Sequence, residues 1–141
     1  MASEENKDIV RRYVEEVWGR HDLAAALELL APYYVDHHPP PGVTPDREGF
    51  MSALDIFAAA FPDAELTLND LVAEGDRVAD RWTLAATHTG SFFGIAPTYR
   101  RVILTGMDLH RIVDGQITDT WHVEDILGLL RQLGVEQPKA T

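Results

Sequence analysis

The chain has 141 residues, 45% hydrophobic and 25% charged, a composition typical of one globular domain with a sizeable core. Its formal net charge of −11 and calculated pI of about 4.8 argue against nucleic acid or an anionic membrane surface as a partner. The absence of cysteine excludes disulfides, thiol nucleophiles and thiolate metal ligands. No apolar run approaches the roughly 18 residues that a membrane span needs. The acidic N-terminal segment lacks a signal-peptide pattern, so we expect a cytoplasmic protein.

The first half of the chain predicts three helices and one strand. Apolar residues at helical spacing predict an opening helix over 4–19, and Asp22 can cap a second, short helix. The segment YYVDHH at 33–38 is typical of a short strand, which the rigid run PPPG ends. Thr44 followed by Pro45 predicts the start of a third helix, whose apolar stripe continues to the motif FPD.

From residue 64 onwards the hydrophobic period becomes alternating, which predicts four strands and a final helix. The strands are 65–73, 77–89, 99–113 and 116–125, and the helix is 125–134, before a loose tail EQPKAT. Asp114-Gly115 is a strong hairpin signal. Helices segregated to one side of an antiparallel sheet make an α+β domain, and three to four helices can close the concave side of a curled sheet into a pocket. We expect a single domain over 1–141 with an ordered core at about 5–134.

The hairpin decides which ionisable side chains face the interior. With a two-residue turn, directly paired residues share a face, so that His110 pairs with Asp119 and Asp108 with Trp121. This register places these four residues and Asp125 on a mainly apolar face, while the opposite face is polar and suits solvent or a subunit contact. A bulge or a three-residue loop would exchange the faces of one strand.

The preceding strand repeats this pattern, because Asp80 shares its predicted face with Trp82 and other apolar residues. An unpaired buried carboxylate costs several kcal/mol, so such groups are normally paired or have a shifted pKa. A pair of His110 with Asp119 would satisfy part of this demand, although such a pair can also be a purely structural brace. The recurrence indicates a pocket with polar groups set in apolar walls.

The segment TGMDLHRIVDGQITDTWHVEDILGLLRQLG at 105–134 resembles the C-terminal signature of the SnoaL-like polyketide cyclases. That signature has a glycine and a strand, then Arg-Ile-x-Asp-Gly-x-Ile, an acid, Trp, a second acid and a leucine helix ending in Gln-Leu-Gly. Upstream, YYVDHHPP and FFGIAPTYRRV are similar to the family's early strand and its Gly-Ile-x-Pro-Thr loop, so the resemblance covers roughly residues 5–134. It implies the conical α+β barrel of the nuclear transport factor two-like superfamily.

The resemblance implies an activity as well as a fold. Cyclases of this family close a ring by intramolecular aldol condensation without metal or cofactor, using a cavity aspartate as general acid and base. The resemblance places that role on Asp125, with His110 as the second polar group, which orients the substrate carbonyl. One carboxyl whose pKa is raised towards neutrality by an apolar pocket can remove a carbon-bound proton and later protonate the new alkoxide. The expected substrate-binding residues are Trp18, Tyr34, His37, Phe57, Phe61, Asp80, Trp82, Phe93, Asp108, Asp119 and Trp121.

Several alternatives stay open at this point. Asp125 stands where the last strand ends, so it can instead cap the final helix. His37 and His38 are adjacent on a strand and point to opposite faces, so we expect no shared metal site. The same fold also carries dehydratases, isomerases, hydroxylases, epoxide hydrolases and non-catalytic binders of hydrophobic ligands. We expect a small, apolar, oxygenated, polyketide-like substrate, and the resemblance suggests a homodimer or homotetramer.

Overall fold

Residues 2–135 are described by a computed structural model, in which four α-helices pack on one five-stranded sheet. The helices are α1 (Ala2–Arg12), α2 (Leu23–Leu29), α3 (Arg47–Ala60) and α4 (Ile126–Leu133). The strands are β1 (Leu30–Asp36), β2 (Glu65–Glu74), β3 (Arg77–Thr87), β4 (Arg101–Val113) and β5 (Gln116–Glu124). Helix α1 continues as a π-helical segment over Tyr13–Trp18. The tail that was predicted to be loose lies outside the described residues.

The strand order is β1-β5-β4-β3-β2. Strands β2 to β5 form the predicted antiparallel meander, in which two-residue turns join β2 to β3 and β4 to β5, and a longer loop over 88–100 joins β3 to β4. Strand β1 adds to the edge beside β5 and runs parallel to it. The sheet is curved and not closed, with helices on its concave side, so the predicted α+β class is confirmed. None of the described helices has the length and apolarity needed to cross a bilayer.

Helix α3 begins two residues later than Thr44 and Pro45 predicted. Asp46 is its N-cap, and the carboxylate accepts a hydrogen bond from the backbone N–H of Gly49 at 2.8 Å. The hydroxyl of Thr44 donates to the same carboxylate oxygen at 2.7 Å. The carboxylate therefore takes the capping position, and the threonine orients it.

The turn between β4 and β5 matches the prediction. Asp114 and Gly115 both have positive φ, 50° and 80°, and Val113 pairs with Gln116 on either side of them. These left-handed conformations match the right-handed twist of the two strands, which explains the preference for Asp-Gly in such hairpins.

A bulge at Thr118 then changes the register of the hairpin. Ile112 pairs with Ile117, but the next pair is Arg111 with Asp119, so Thr118 is an extra residue on β5. Because successive side chains on a strand alternate between faces, one extra residue exchanges the faces of everything that follows.

The predicted pairing of His110 with Asp119 is therefore wrong. His110 lies opposite Thr120, and Asp108 lies opposite His122 rather than opposite Trp121. The inner face of β5 therefore carries Thr120, His122 and Glu124 instead of Asp119, Trp121 and Val123. The predicted faces of β3 and β4 are correct, since these two strands pair without interruption.

Candidate active site

A cavity of about 560 Å³ lies between the concave face of the sheet and the helices. Most of its lining is apolar, and the polar groups gather on the inner faces of β1, β4 and β5. Its residues are Tyr13, Val14, Trp18, Tyr34, Asp36, His38, Pro39, Pro40, Pro41, Phe50, Ala53, Phe57, Leu66, Trp82, Leu84, Phe92, Phe93, Ile95, Leu104, Asp108, Thr120, His122, Glu124, Ile126 and Leu130. This volume is in the range of about 300–1,000 Å³ that is usual for small-molecule sites.

Aromatic rings form one wall of the cavity. Trp18 meets Phe50 and Phe57 edge to face, with ring centroids 5.5 and 5.7 Å apart. On the sheet side of the cavity, the ring of Trp82 on β3 lies over Gly106, its direct partner on β4. A Cβ at Gly106 would come within 2.3 Å of that ring, so only glycine leaves room for the indole there. Such rigid, flat walls suit a flat, unsaturated ligand.

Two carboxyls and an imidazole form the most buried polar group of the site. Asp80 on β3 and Asp108 on β4 are direct cross-strand partners, and His110 follows on the same face of β4. The Nε2 atom of His110 lies 3.0 Å from Asp80 Oδ2 and 3.9 Å from Asp108 Oδ2, and Nδ1 lies 2.8 Å from the hydroxyl of Thr120. Of the three, Asp108 alone lines the cavity.

Burial changes the proton affinities of this group. Burial raises the pKa of Asp108 well above its ordinary value, and the adjacent carboxyl of Asp80 raises it further. Burial also raises the pKa of Asp80 to about 6 and lowers the pKa of His110, which is therefore neutral. The cavity thus contains a carboxyl that retains its proton far above the usual carboxyl range, as a general acid and base requires.

A second polar group surrounds His122, next to Asp108. The Nε2 atom of His122 lies 2.8 Å from Asp36 Oδ1, and Nδ1 contacts a carboxylate oxygen of Glu124. His38 holds the same segment of β5 in place through its ring Nδ1, which lies 2.8 Å from the backbone carbonyl of His122. Burial alone would lower the pKa of His122, but the hydrogen bonds to the two carboxylates outweigh it and raise this pKa to about 10. His122 is thus an imidazolium cation that donates to both neighbours.

We predict that the free energy of unfolding falls as the pH rises from about 6.5 to 10, through the interval between the unfolded and folded pKa of His122. Below that interval the imidazolium stabilises the fold fully, and above it the proton is lost from both states. After solvent screening we expect a loss on the order of 1–3 kcal/mol. Urea unfolding across this range measures the loss, which should be much smaller in His122→Asn.

The matched control is His21→Asn, because His21 forms an exposed pair with Asp55. This variant should retain the pH dependence of the wild type. If the stability of His122→Asn fell over the same interval as steeply as that of the wild type, the imidazolium would not be the cause.

Six of the eleven predicted substrate-binding residues line the cavity. They are Trp18, Tyr34, Phe57, Trp82, Phe93 and Asp108. Phe61 and Asp80 are buried behind the wall instead, Phe61 against the rings of Phe57 and Phe92. Neither is among the cavity residues, so a direct contact with a ligand is not supported for them.

His37, Asp119 and Trp121 lie outside the cavity, which contradicts their expected position. The ring of His37 stacks on Trp121 with centroids 4.3 Å apart, and its Nε2 atom lies 2.9 Å from Asp119 Oδ2. The guanidinium of Arg77 covers the same indole at 5.2 Å. The bulge at Thr118 turns Asp119 and Trp121 to the outer face of the sheet. His37 stands between Asp36 and His38, which both line the cavity, so its own side chain points the other way.

Asp125 does not face the cavity either. Its side chain is exposed and accepts a hydrogen bond from the backbone N–H of Gly128 at 2.9 Å, as the N-cap of α4. The expectation of a pocket acid at this position is wrong, and the capping alternative describes the geometry. His110 is buried as expected, but it stands behind Asp108 and contacts protein groups rather than the open cavity.

Sequence reasoning missed Asp36, Thr120, His122 and Glu124 as cavity residues. Uninterrupted alternation along the hairpin predicts the outer face for the last three, because the bulge at Thr118 leaves no signal in the pattern of polar and apolar residues. Asp36 could have been found, since it stands two positions after Tyr34 on a predicted strand and so shares its face.

Two groups of side chains bring three potential metal-binding atoms within 4.8 Å of one another: Asp80, Asp108 and His110, and Asp108, His122 and Glu124. In both groups the two ring nitrogens of the histidine are already bonded to protein oxygens. A divalent cation would have to displace one of these bonds and a proton. The arrangement therefore suits proton transfer better than metal binding, and the absence of a metal stays a prediction.

Fold and site together define a class of protein, namely an α+β domain whose curved sheet encloses an apolar cavity around a buried acid. The family model for SnoaL-like polyketide cyclase matches residues 8–133. The chain belongs to the SnoaL-like polyketide cyclase family.

Individual relatives agree with this assignment. Over 136 residues the chain is 35% identical to the aklanonic acid methyl ester cyclase DnrD of Streptomyces peucetius, covering 93% of this chain and 92% of DnrD. Among solved structures, TsrD from Streptomyces laurentii has a TM-score of 0.84 at 31% identity, covering 94% of this chain and 97% of TsrD. The candidate hydroxylase AclR from Streptomyces galilaeus also has a TM-score of 0.84, at 32% identity, covering 99% and 90% of the two chains.

Proposed function

We propose that this protein closes a ring in a polyketide-type substrate by intramolecular aldol condensation, with Asp108 as the general acid and base. One observation carries the proposal: an aromatic-walled cavity holds a carboxyl whose pKa burial has raised well above its ordinary value. Asp108 takes the role for which the sequence favoured Asp125, since Asp125 is exposed on the surface. Membership of the cyclase family and the similarity to DnrD support the choice of reaction.

The proposed reaction needs one proton taken and the same proton returned. The ionised carboxyl of Asp108 removes a proton from a carbon between two carbonyl groups, and the C–H electron pair becomes an enolate. The enolate carbon attacks a second carbonyl carbon of the same molecule, whose C–O π pair moves onto oxygen. Asp108 then protonates this alkoxide. Conjugated ketones delocalise the enolate themselves, and the nearby His122 imidazolium lowers the free energy of negative charge in the cavity.

The cavity contributes mainly by folding the substrate. An elongated polyketide must bring its two reacting carbons to within about 3–3.5 Å of each other, a loss of freedom that a matching cavity can offset. The rings of Trp18, Phe57 and Trp82 give flat apolar contacts for conjugated substrate. The carboxyl of Asp108 lies among the polar groups on the sheet side of this space, where it can meet an acidic C–H bond.

Incubation with aklanonic acid methyl ester is the first test, because DnrD is named for that substrate. Aldol closure changes the retention time of the product but not its mass, because the reaction is an isomerisation. Mass spectrometry therefore separates ring closure from the functions that change the mass of the substrate. A dehydratase product loses one water, an epoxide hydrolase product gains one water, and a hydroxylase product gains one oxygen. Tight binding without turnover across a panel of polyketide esters would instead identify a non-catalytic binder.

Hydroxylation is the second candidate function. The similarity to AclR favours it, since 99% of this chain is covered at 32% identity. The cavity contains an acid and an imidazolium that can move protons, so a substrate carbanion formed there could add to dioxygen as well as to a carbonyl. The resulting hydroperoxide becomes the alcohol when an external two-electron reductant releases its outer oxygen as water, so the assay includes such a reductant. A product heavier by one oxygen atom, labelled when the reaction runs under ¹⁸O₂, would establish this activity in place of ring closure.

We expect copies of this chain to associate through the outer face of the sheet, as a homodimer or homotetramer. That face exposes Met107 and Val123, which are direct cross-strand neighbours, and Ile103 further along β4. Exposed apolar patches of this kind are typical of protein contacts. Sedimentation equilibrium should give the mass of two or four chains, and Met107→Glu should reduce it to one. Leu27→Glu, at an exposed position on α2, is the matched control. A monomeric wild type would refute the association.

A further inference from the structure

We propose that Asp80 is a positioning residue that shares one proton with Asp108, so that the cavity acid works as one half of a carboxyl pair. Its part in ring closure rests on the proposed function, but the shared proton is a property of the protein alone. Asp80 is not among the cavity-lining residues and would act only through its neighbour.

The backbone brings the two carboxyls together. Asp80 and Asp108 are direct partners in the uninterrupted pairing of β3 with β4, so their side chains leave the sheet side by side. Potential ligand atoms of Asp80, Asp108 and His110 all lie within 4.8 Å of one another. The side chain of Asp80 is fully buried and that of Asp108 is 11% exposed. Two carboxylates this close in an apolar site cannot both be ionised, and sharing a proton removes the repulsion.

A chain of hydrogen bonds determines which protons are available to Asp80. The hydroxyls of Tyr34 and Thr120 hydrogen-bond to each other, and the hydroxyl of Thr120 also lies 2.8 Å from Nδ1 of His110. If Thr120 donates its proton to Nδ1, the neutral imidazole carries its hydrogen on Nε2 and donates it to Asp80 Oδ2 at 3.0 Å. All donors in this chain then point towards Asp80.

One oxygen of Asp80 stays unsatisfied by this chain. Its Oδ1 atom is buried and has no hydrogen-bond partner among the described residues. A buried carboxylate oxygen without a donor costs about 1–3 kcal/mol or more. A proton on Asp108 removes this cost, because the carboxylic acid then becomes a donor to Asp80. The hydrogen bond between the two side chains accordingly adds to the rise in the pKa of Asp108 and limits the rise in the pKa of Asp80, which burial causes.

The other groups facing the pair complete its electrostatics. They are Tyr13 from the π-helical segment, Tyr34 and Asp36 from β1, His110 from β4, and His122 and Glu124 from β5. His122 is the cation of this set, and its charge opposes the rise in the pKa of Asp108, while the carboxylates of Asp36 and Glu124 hold that cation in place. The pair therefore keeps its proton near neutral pH but can still release it, as general acid and base catalysis by Asp108 requires.

The test replaces Asp80 with Asn, which has the same shape. The Asn carbonyl can accept from His110, and its NH₂ group can donate to Asp108, which favours the ionised carboxyl. The carboxyl carbons of aspartate are labelled with ¹³C, and the signal of Asp108 is identified by its loss in Asp108→Asn. An ordinary aspartate titrates near pH 4. In the wild type the signal of Asp108 should titrate well above that value. In Asp80→Asn its acid dissociation constant should increase about tenfold or more.

The matched control is Asp70→Asn, which removes an exposed carboxylate on the next strand and leaves the pair intact. It should leave the titration of Asp108 unchanged. The inference is overturned if Asp108 titrates like an ordinary carboxyl in the wild type, or if its titration is the same in Asp80→Asn. A purely structural Asp80 would alter stability without moving that titration.

The activity measurement separates this inference from the proposed function. If the wild type closes the ring, the acidic limb of the pH profile of kcat/KM should move to lower pH in Asp80→Asn by the same factor as the Asp108 titration. A limb that does not move would refute the positioning role. If no polyketide ester is turned over, the proposed function fails, while the ¹³C titration still decides whether the two carboxyls share a proton.

Discussion

Replacing Asp108 with Asn is expected to lower kcat/KM for ring closure by about 10²–10⁴, the usual contribution of a general acid or base. The amide has nearly the shape of the carboxyl but can neither take the carbon-bound proton nor return it to the alkoxide. The fold should persist, because removing a buried ionisable group also removes the cost of its burial. Steady-state kinetics on the cyclised ester measure the effect, and thermal unfolding verifies the fold.

Asp125→Asn is the matched control, since both changes convert an aspartate into the amide of the same shape. Asn caps a helix as well as Asp does, so α4 should keep its hydrogen bond at Gly128. We expect kcat/KM and the melting temperature to stay near their wild-type values. A large loss of activity in Asp125→Asn with an active Asp108→Asn would return the acid/base role to Asp125.

Replacing His110 with Ala is expected to lower the free energy of unfolding by about 3–5 kcal/mol near pH 8, as breaking a buried pair generally does. Asp80 would lose the imidazole donor to its Oδ2 atom, and the carboxylate would stay buried with that oxygen unsatisfied. The loss should be smaller near pH 5, because protonation of Asp80 removes the buried charge. Urea unfolding at the two pH values measures both effects.

A double-mutant cycle gives the control for this prediction. In a His110→Ala background, Asp80→Asn removes the stranded charge, so the double variant should be less destabilised than the sum of the two single changes. Should His110→Ala fail to fold, His110→Gln keeps a side-chain donor and can stand in for it. A loss of less than about 1 kcal/mol, equal at both pH values, would show that His110 does not stabilise Asp80.

Much of the fold could be predicted from the sequence, because its signals are local. Helical spacing, alternation and the Asp114-Gly115 turn predicted four helices and five strands, which the structure confirms. The inner faces of β3 and β4 were also correct, since these strands pair without a bulge. That continuity is why Asp80, Trp82 and Asp108 were recognised as interior residues.

The candidate site was predicted less well, because it depends on a bulge and because an aspartate can serve either as an acid/base or as a helix cap. Thr118 shifts the register by one position, and neither hydrophobicity nor turn residues distinguish it from its neighbours. Asp125 has the residue type of both an acid/base and a helix cap, and only the direction of its side chain separates the two. The parallel addition of β1 beside β5, which brings Asp36 to His122, also requires long-range contacts that no local pattern encodes.

The extra residue at Thr118 determines which of the alternating side chains of β5 face the cavity. With it, β5 presents hydroxyl, imidazole and carboxylate groups to the substrate side. Deleting Thr118 would instead direct Asp119, Trp121 and Val123 inwards, filling the space with indole and exposing His122 to solvent. A one-residue insertion or deletion could therefore convert a cavity suited to proton transfer into an apolar binding pocket, although the sequence of the strand is almost unchanged. Comparisons between members of this family are chemically meaningful only when the bulge is matched first.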